Sequence, residues 1–403
     1  LFQATYNMHY LETGQMEKIK INSWDELQPL EVVAVGSTYD STFFDGVKNK
    51  KIGDVLKKIV NETNEDIDYF KSQMRSHNIQ VLHASPKELG YKDSILDYVD
   101  VNGKLGYDNQ RNIVKKNLIP TSPLQIRDDS IIMGNKLLIT DKTFEVQGYV
   151  KKFIEWFGED QLDLSIYNGN YQFSRTDVNL ISQALDEGKD KNYYIDNPSD
   201  GVTNLAGFCS PNLVRIGKTC IVDLWQTEDI LVFLKEKFPM FDYKSLQIGG
   251  HLDSVFSVLK PGYIIAGPWF RGNEQLFKNW NVVYFEDSKW DKVSAFFELR
   301  DKNRGMWWVP GEEHNDQFTE FVQAFLPNWT GYCEETIFDL NCLIVDDKHV
   351  VINAENPELI KVLKNLNLEP IVCPLRNRFF WDGGWHCLTL DIRRRGGQVD
   401  YGI

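Results

Sequence analysis

The sequence contains no uninterrupted apolar run approaching the roughly 18 residues of a membrane span. Its first residues also lack a basic stretch followed by an apolar one. Neither a membrane partner nor a secretory leader is expected. Positive charge is in deficit too: 44 Lys and Arg stand against 58 Asp and Glu, a formal net charge of -14. That balance argues against a nucleic-acid surface and is compatible with a small cationic substrate. The six cysteines, at 209, 220, 333, 342, 373 and 387, include no CxxC pair. A chain of this length needs no disulfide staples, so a reducing, cytoplasmic setting is expected. Metal-ligand spacing, a phosphate-binding glycine loop and a dinucleotide fingerprint are all missing, so neither a cofactor nor a metal is expected.

What is present is core-forming material. Hydrophobic residues make up 42% of the 403 positions and aromatics 13%, with eleven Trp, which marks a globular chain. One order of elements recurs. Near the end, Cys342 to Val345 reads as a strand, Asp346-Asp347-Lys348 as a tight turn and His349 to Ile352 as its hairpin partner. A helix follows, with Pro357 where a first turn tolerates it and Leu359, Ile360, Leu363 and Leu366 on one face. Ile371 to Cys373 then forms a short strand.

Hairpin, helix and strand recur upstream, first as Ser130 to Met133, Lys136 to Ile139, Val150 to Phe157 and Leu162 to Tyr167. They recur again as Leu213 to Ile216, Cys220 to Val222, Asp229 to Phe238 and Lys244 to Ile248. A fourth copy has Val255 to Leu259, Tyr263 to Ala266 and Val282 to Phe285. An N-terminal copy is visible in part: strand Val32 to Val35, a helix through Ile67, Phe70 and Met74, and strand Ile79 to Leu82. Units too small to bury their own apolar faces become stable when neighbours complete them, which predicts one closed α/β domain over 22–403 behind an arm at 1–21. The competing reading is that such common elements repeat here without symmetry. Residues 84–125 and the Trp-rich 288–333 fall outside the repeat and read as insertions, which on rigid scaffolds often shape active sites.

The segment Gly383-Gly384-Trp385-His386-Cys387-Leu388-Thr389-Leu390-Asp391-Ile392-Arg393-Arg394 is the most specific in the chain. The glycines permit a tight turn, and the alternation after Cys387 predicts a strand leaving a centre. A lone Cys is more often a small core residue than a nucleophile. Here, however, the segment resembles the G-G-G-F-H-C-W-T-x-D-x-R-R-R-G pattern of the glycine amidinotransferase family. Four further matches stand in register with it. Trp24 to Gly36 resembles E-W-D-P-L-E-E-V-I-V-G, and Arg127-Asp128 with Gly134-Asn135 resembles R-D-x-x-I-V-V-G-N. His251-Leu252-Asp253 resembles H-I-D-A-T-F, and Asn341 to Asn353 resembles N-V-L-M-L-D-E-K-R-V-M-V-D.

The resemblance implies the pentein α/β propeller, five pseudo-symmetric ββαβ units around a central active site. It also implies transfer of an amidino group from arginine or another guanidino donor to an amine, with release of ornithine. A delocalised guanidinium is a poor electrophile, so such a site needs a soft nucleophile and carboxylates that clamp the planar N–H fork. By the resemblance, Cys387 is that nucleophile and His251 the acid and base for the departing and arriving amines. Asp128 and Asp253 hold the guanidino group, with Arg127 beside them and Arg271 at the donor's carboxylate. Asp253, two residues after His251, is expected on the same strand face. His386, adjacent to Cys387 along a strand, is expected to face away as support.

Two regions depart from the pattern. The family's E-P-C-F-D-A-A-D-F-I-R-A-G-R reads here Leu205-Ala206-Gly207-Phe208-Cys209-Ser210-Pro211-Asn212-Leu213-Val214-Arg215-Ile216-Gly217-Lys218. Cys209 therefore stands where a carboxylate should orient the histidine, and Asn212 stands at a second Asp. On the acceptor side Glu334, Glu335 and Asp339 replace serines, which implies a more cationic substrate than glycine. Amidino transfer is the leading expectation. A guanidino hydrolase of the deiminase type and a catalytically impaired guanidino-binding protein are the alternatives. The expected partners are small molecules and, for the chain itself, a second copy in a homodimer.

Overall fold

Each hairpin foreseen from turn residues forms, and the incomplete N-terminal copy finds its missing strand at the other end of the chain. The computed structural model describes residues 17–102, 119–171, 173–176, 202–205, 207–224, 229–248, 251–285, 309–312, 314–330 and 339–403. Among these, five three-stranded sheets share one pattern. The first two strands are antiparallel and the third runs parallel to the second. A parallel third strand needs a crossover, which the intervening segment supplies.

In the first unit Leu30–Val35 lies between Gln80–His83 and the C-terminal strand Thr389–Arg394, with Val33 opposite Asp391. Its crossover is the helix Lys50–Ser76, capped by the Asn49 side chain, which accepts from the Lys51 N–H. Ile52, Val55, Leu56, Ile59, Val60, Ile67, Phe70 and Met74 recur at helical spacing and are buried against the sheet. The second unit comprises Ser130–Met133, Lys136–Ile139, helix Phe144–Phe157 and Leu162–Asp163. The third comprises Leu213–Ile216, Thr219–Asp223, helix Asp229–Lys237 and Asp242–Leu246. The fifth comprises Leu343–Ile344, His349–Ile352, helix Pro357–Asn365 and Glu369–Val372.

The fourth unit departs from the pattern in its crossover. Between Phe256–Lys260 with Tyr263–Ala266 and the closing Asn281–Tyr284 stand two 3-10 turns, Pro268–Phe270 and Glu274–Phe277. Pro268 begins the first turn and Gly272, at φ +90°, leads the chain out of it, so no longer helix forms. Two other expectations needed adjusting. The strand expected over Leu162 to Tyr167 is only two residues long, and an extra hairpin pairs Phe173–Thr176 with Val202–Leu205.

Ser130–Met133 and Leu213–Ile216 are buried on both faces throughout. That is why apolar residues predominate in them. Polar exceptions gather at Asp391, which is fully buried on the C-terminal strand. Its carboxylate accepts from Arg127 Nη2 at 2.8 Å, Arg215 Nη2 at 2.9 Å, Arg394 Nε at 3.0 Å and Ser23 Oγ at 2.7 Å. One carboxylate thus ties the first three units together beneath the centre. The rest of the arginine run behaves as a surface pair, with Arg393 and Arg395 sharing Glu31 at 3.0 and 2.9 Å.

Parts of both expected insertions pack together. Trp329 stacks on Tyr39 at 5.4 Å and on Trp381 at 5.8 Å, and its indole N–H donates to the Ile119 carbonyl at 3.1 Å. Helix Asp316–Phe325 covers the first helix, with Phe318 against Phe380. Of the arm, residues 17–21 lie along the second unit, where Ile19 N–H donates to the Trp156 carbonyl at 2.9 Å. Among the described residues, no helix is long and apolar enough to cross a membrane.

Candidate active site

The loop that carries Cys387 has no hydrogen-bonded ladder of its own, so other elements must satisfy its backbone. Two asparagines of the fifth unit do this. Asn341 Oδ1 accepts from the N–H groups of Gly384 at 3.1 Å and Cys387 at 3.0 Å, while its Nδ2 donates to Cys387 Sγ at 3.0 Å. Asn353 Oδ1 accepts from Trp385 N–H at 2.8 Å. Both asparagines are fully buried. Their closeness explains Gly384: a Cβ there would stand 2.6 Å from Asn353 Nδ2 and 2.7 Å from the Asn341 carbonyl oxygen. Trp385 anchors the loop from behind, stacked on Phe70 at 4.3 Å with its indole donating to the Cys373 carbonyl at 2.6 Å.

Residues 385–388 form a turn, and the strand begins only at Thr389. His386 and Cys387 therefore do not face opposite ways as strand neighbours would. Both meet Asp253: His386 Nδ1 lies 2.7 Å from Oδ2, and Cys387 Sγ donates to the same oxygen at 3.3 Å. On the far side of His386, Nε2 lies 3.3 Å from Glu26. Glu26 reaches that position because Asp25 Oδ1 accepts from the Leu27 and Gln28 N–H groups at 2.9 and 2.8 Å, closing a turn around it. Neither Glu26 nor the two asparagines was singled out in the sequence as site residues. The signal available was their place in the matched segments Trp24 to Gly36 and Asn341 to Asn353.

These contacts set the charges. Burial and Arg127 work against charging His386, but Glu26 and Asp253 outweigh them and raise its pKa. Burial likewise works to raise Asp253, yet His386, His251 and Arg127 hold its carboxyl below the usual range. The His386 imidazole thus lies between two carboxylates, Asp253 and Glu26, directly beside Cys387.

His251 and Asp253 do not share a strand face. Leu252–Val255 is a helical turn that His251 leads, so side chains two apart diverge. Asp253 turns to His386, and His251 turns to the third unit, where its Nε2 lies 2.9 Å from Cys209 Sγ. Cys209 is thus the side chain that meets the His251 ring from the third unit. Desolvation by the surrounding protein pushes the Cys209 thiol up to about 11, with Asp128 and Asp129 adding to it against His251. At neutral pH the thiol is uncharged and lies within hydrogen-bond distance of Nε2.

Asp128 joins this group: one oxygen of its carboxylate, Cys209 Sγ and a ring nitrogen of His251 all lie within 4.8 Å of one another. Its backbone is clipped to the same place, since the Ser210 N–H donates to the Asp128 carbonyl at 2.8 Å. Asn212 closes the turn that presents Cys209, its N–H donating to the Cys209 carbonyl at 3.2 Å.

The remaining expectations need correction or lie elsewhere. Arg127 is not placed to hold substrate. It is buried, with Nε donating to the His386 and Thr389 carbonyls at 2.8 and 3.0 Å and Nη2 committed to Asp391, so it braces the Cys387 loop from behind. Asp339 is no acceptor-side carboxylate: it is buried, accepts from Asn356 Nδ2 at 3.0 Å and pairs with Arg378 at 3.3 Å. Arg271 is exposed after its 3-10 turn, with its guanidinium 4.7 Å over the Tyr284 ring. Glu334 and Glu335 lie outside the described residues.

No family model matches the chain. An L-arginine:L-lysine amidinotransferase of Pseudomonas savastanoi pv. phaseolicola is 37% identical over 70 residues, 17% of this chain and 19% of that protein. The mitochondrial glycine amidinotransferase of Xenopus tropicalis is 24% identical over 151 residues, 38% of this chain and 28% of the relative. The match thus spans less than a third of the length of either relative. Among solved structures, SxtG, an amidinotransferase from Microseira wollei in the saxitoxin biosynthetic pathway, superposes with TM-score 0.56 at 17% identity, over 94% of this chain and 99% of its own. The inosamine-phosphate amidinotransferase StrB1 of Streptomyces griseus does so with TM-score 0.56 at 16% identity, over 95% and 99%. At such identities the structural likeness speaks for the fold, the five-unit pentein propeller. The sequence relatives that match parts of the chain are amidinotransferases as well.

Proposed function

We propose that the chain is an amidinotransferase that moves an amidino group from arginine, or another guanidino donor, to an amine through an adduct on Cys387. The observation that carries this reading is the convergence on one carboxylate. Cys387 Sγ and the His386 imidazole both meet Asp253, and His251 lies two residues before it. An ionised Asp253 is suited to clamp a guanidinium, and a guanidinium clamped there lies beside the thiol.

In the resting site the Cys387 thiol donates to Asp253. A guanidinium replaces the thiol as donor, and its positive charge favours the thiolate it meets. The thiolate then bonds to the guanidinium carbon. As the bond from that carbon to the donor's side-chain nitrogen breaks, His251 gives the departing ornithine nitrogen a proton, the one Cys387 released. In the second half His251 takes a proton from the arriving amine, which bonds to the amidino carbon while the carbon–sulfur bond breaks. Cys387 is regenerated and no cofactor enters the balance. Asp128 is the second carboxylate available to the guanidino group, and Arg271 is the candidate partner of the donor's α-carboxylate.

Incubating the protein with arginine and a panel of primary amines tests this. Ornithine and a new guanidino compound should appear in equal amounts and vanish in Cys387→Ala. Citrulline formed without any amine would identify the hydrolase instead. A second reading has one observation in its favour: a neutral Cys209 faces His251 where an orienting charge is expected. Loss of such a partner costs orders of magnitude in rate, which would leave a protein that binds guanidino compounds with little turnover. Tight arginine binding with no product of either kind would support it.

A further inference from the structure

We infer that Asp128, Cys209 and His251 form a binding site for a thiophilic divalent cation of the zinc type, and that the cation competes with turnover. The inhibitory consequence rests on the acid–base role proposed for His251; the site itself rests on geometry.

The three side chains offer one oxygen, one sulfur and one nitrogen, all within 4.8 Å of one another and none fully buried. They arrive from three segments that lead into the second, third and fourth units, which is why no ligand spacing is visible in the sequence. Each segment is pinned by its backbone. Ser210 N–H holds the Asp128 carbonyl at 2.8 Å, Phe208 N–H holds the Thr140 carbonyl at 2.9 Å and Ser254 N–H holds the His251 carbonyl at 3.1 Å. The donors are therefore presented by a fixed frame.

Their dimensions suit zinc. Zinc sits about 2.0 to 2.3 Å from nitrogen, oxygen and sulfur in tetrahedral sites, which puts donors roughly 3.2 to 3.8 Å apart. The 2.9 Å between Cys209 Sγ and His251 Nε2 has to open by less than about 1 Å, within reach of rotamer adjustment. Donor softness points the same way, because a thiolate with an imidazole selects zinc or cobalt over magnesium or calcium. As the sulfur–metal bond forms the thiol proton passes to solvent, and Nε2 binds through its lone pair. Three protein ligands leave a fourth position for water. With its Nε2 lone pair engaged by the metal, His251 can neither give nor take the proton that amidino transfer requires.

Titration of the full chain with Zn²⁺ against a chromophoric chelator, and with Co²⁺ by absorption spectroscopy, tests the site directly. The expected result is one ion per chain and a thiolate-to-cobalt charge-transfer band. Both should survive in Cys387→Ala. In Cys209→Ala the band should disappear and Zn²⁺ affinity should fall at least about 100-fold, with a comparable affinity loss in Asp128→Asn. Far-UV circular dichroism establishes that each variant is folded. A Co²⁺ complex without the band, or a band lost in Cys387→Ala and kept in Cys209→Ala, overturns the assignment. These readouts need no turnover, so failure of the site and failure of the amidinotransferase reading are separable.

Discussion

Replacing Cys209 with Asp should accelerate formation of the Cys387 adduct, because it puts a charge where His251 now meets a neutral thiol. The magnitude follows from the contact. At the 2.9 Å separation of Cys209 Sγ and His251 Nε2, opposite unit charges attract by about 6 kcal/mol at an effective dielectric of 20. Taking a carboxylate out of water opposes this by several kcal/mol. A net stabilisation of the imidazolium of about 2 to 3 kcal/mol remains, which is on the order of 100-fold in a step limited by that proton. The assay is single-turnover formation of the adduct with arginine, quenched and weighed, so that the acceptor need not be known. Cys209→Asn serves as a control of similar shape without charge and should show no gain. If Cys209→Asp, folded by circular dichroism, forms the adduct within threefold of the wild-type rate or more slowly, the reasoning about His251 is refuted.

Other perturbations read other parts of the site. Asn341→Leu removes the donor to Cys387 Sγ and the acceptor of the Gly384 and Cys387 N–H groups. Each buried group left unmade costs about 1 to 3 kcal/mol, so urea unfolding should show a loss of about 2 to 5 kcal/mol and adduct formation should slow at least tenfold. Gly384→Ala drives a Cβ to 2.6 Å from Asn353 Nδ2 and 2.7 Å from the Asn341 carbonyl oxygen, so it should move the loop and lower activity more than stability. Comparing kcat/KM with the urea midpoint checks that ratio. Asp391→Asn leaves Arg127, Arg215 and Arg394 around a neutral amide and should cost about 3 to 5 kcal/mol near neutral pH. Burial works to raise the Asp391 pKa, but the three arginines hold it well below the usual carboxylate range. A depressed folded pKa gives stability that is full above the unfolded value of about 3.9 and is lost as pH falls through the folded one. The gap between wild type and Asp391→Asn should therefore narrow below about pH 4, measured by urea titration at each pH.

The propeller was legible where local chemistry is self-contained. Gly134-Asn135, Gly217-Lys218 and Pro261-Gly262 mark hairpins, and helices with apolar faces follow three of the four hairpins foreseen. The first unit was half visible because its hairpin partner lies at the far end of the chain, and periodicity carries no information about such pairing. His251-Leu252-Asp253 alternates like a strand yet forms a single helical turn, because four residues are too few for the two periods to be told apart. That misreading hid the divergence of His251 toward Cys209 and Asp253 toward His386. Arg127 and Asp128 matched the family together, but only burial separates their tasks: Arg127 braces the Asp391 cluster, and Asp128 stands by Cys209. The cation site could not be read from spacing, since its ligands lie 81 and 42 residues apart along the chain.

The central claim is that Cys387 carries the amidino group. Intact-mass spectrometry of the protein quenched shortly after mixing with arginine tests it most directly. An adduct of about 42 Da, the mass of an amidino group replacing one proton, should appear on the Cys387 peptide and be discharged by a competent amine. Saturation with arginine that leaves the mass unchanged, or an adduct that persists in Cys387→Ala, contradicts it.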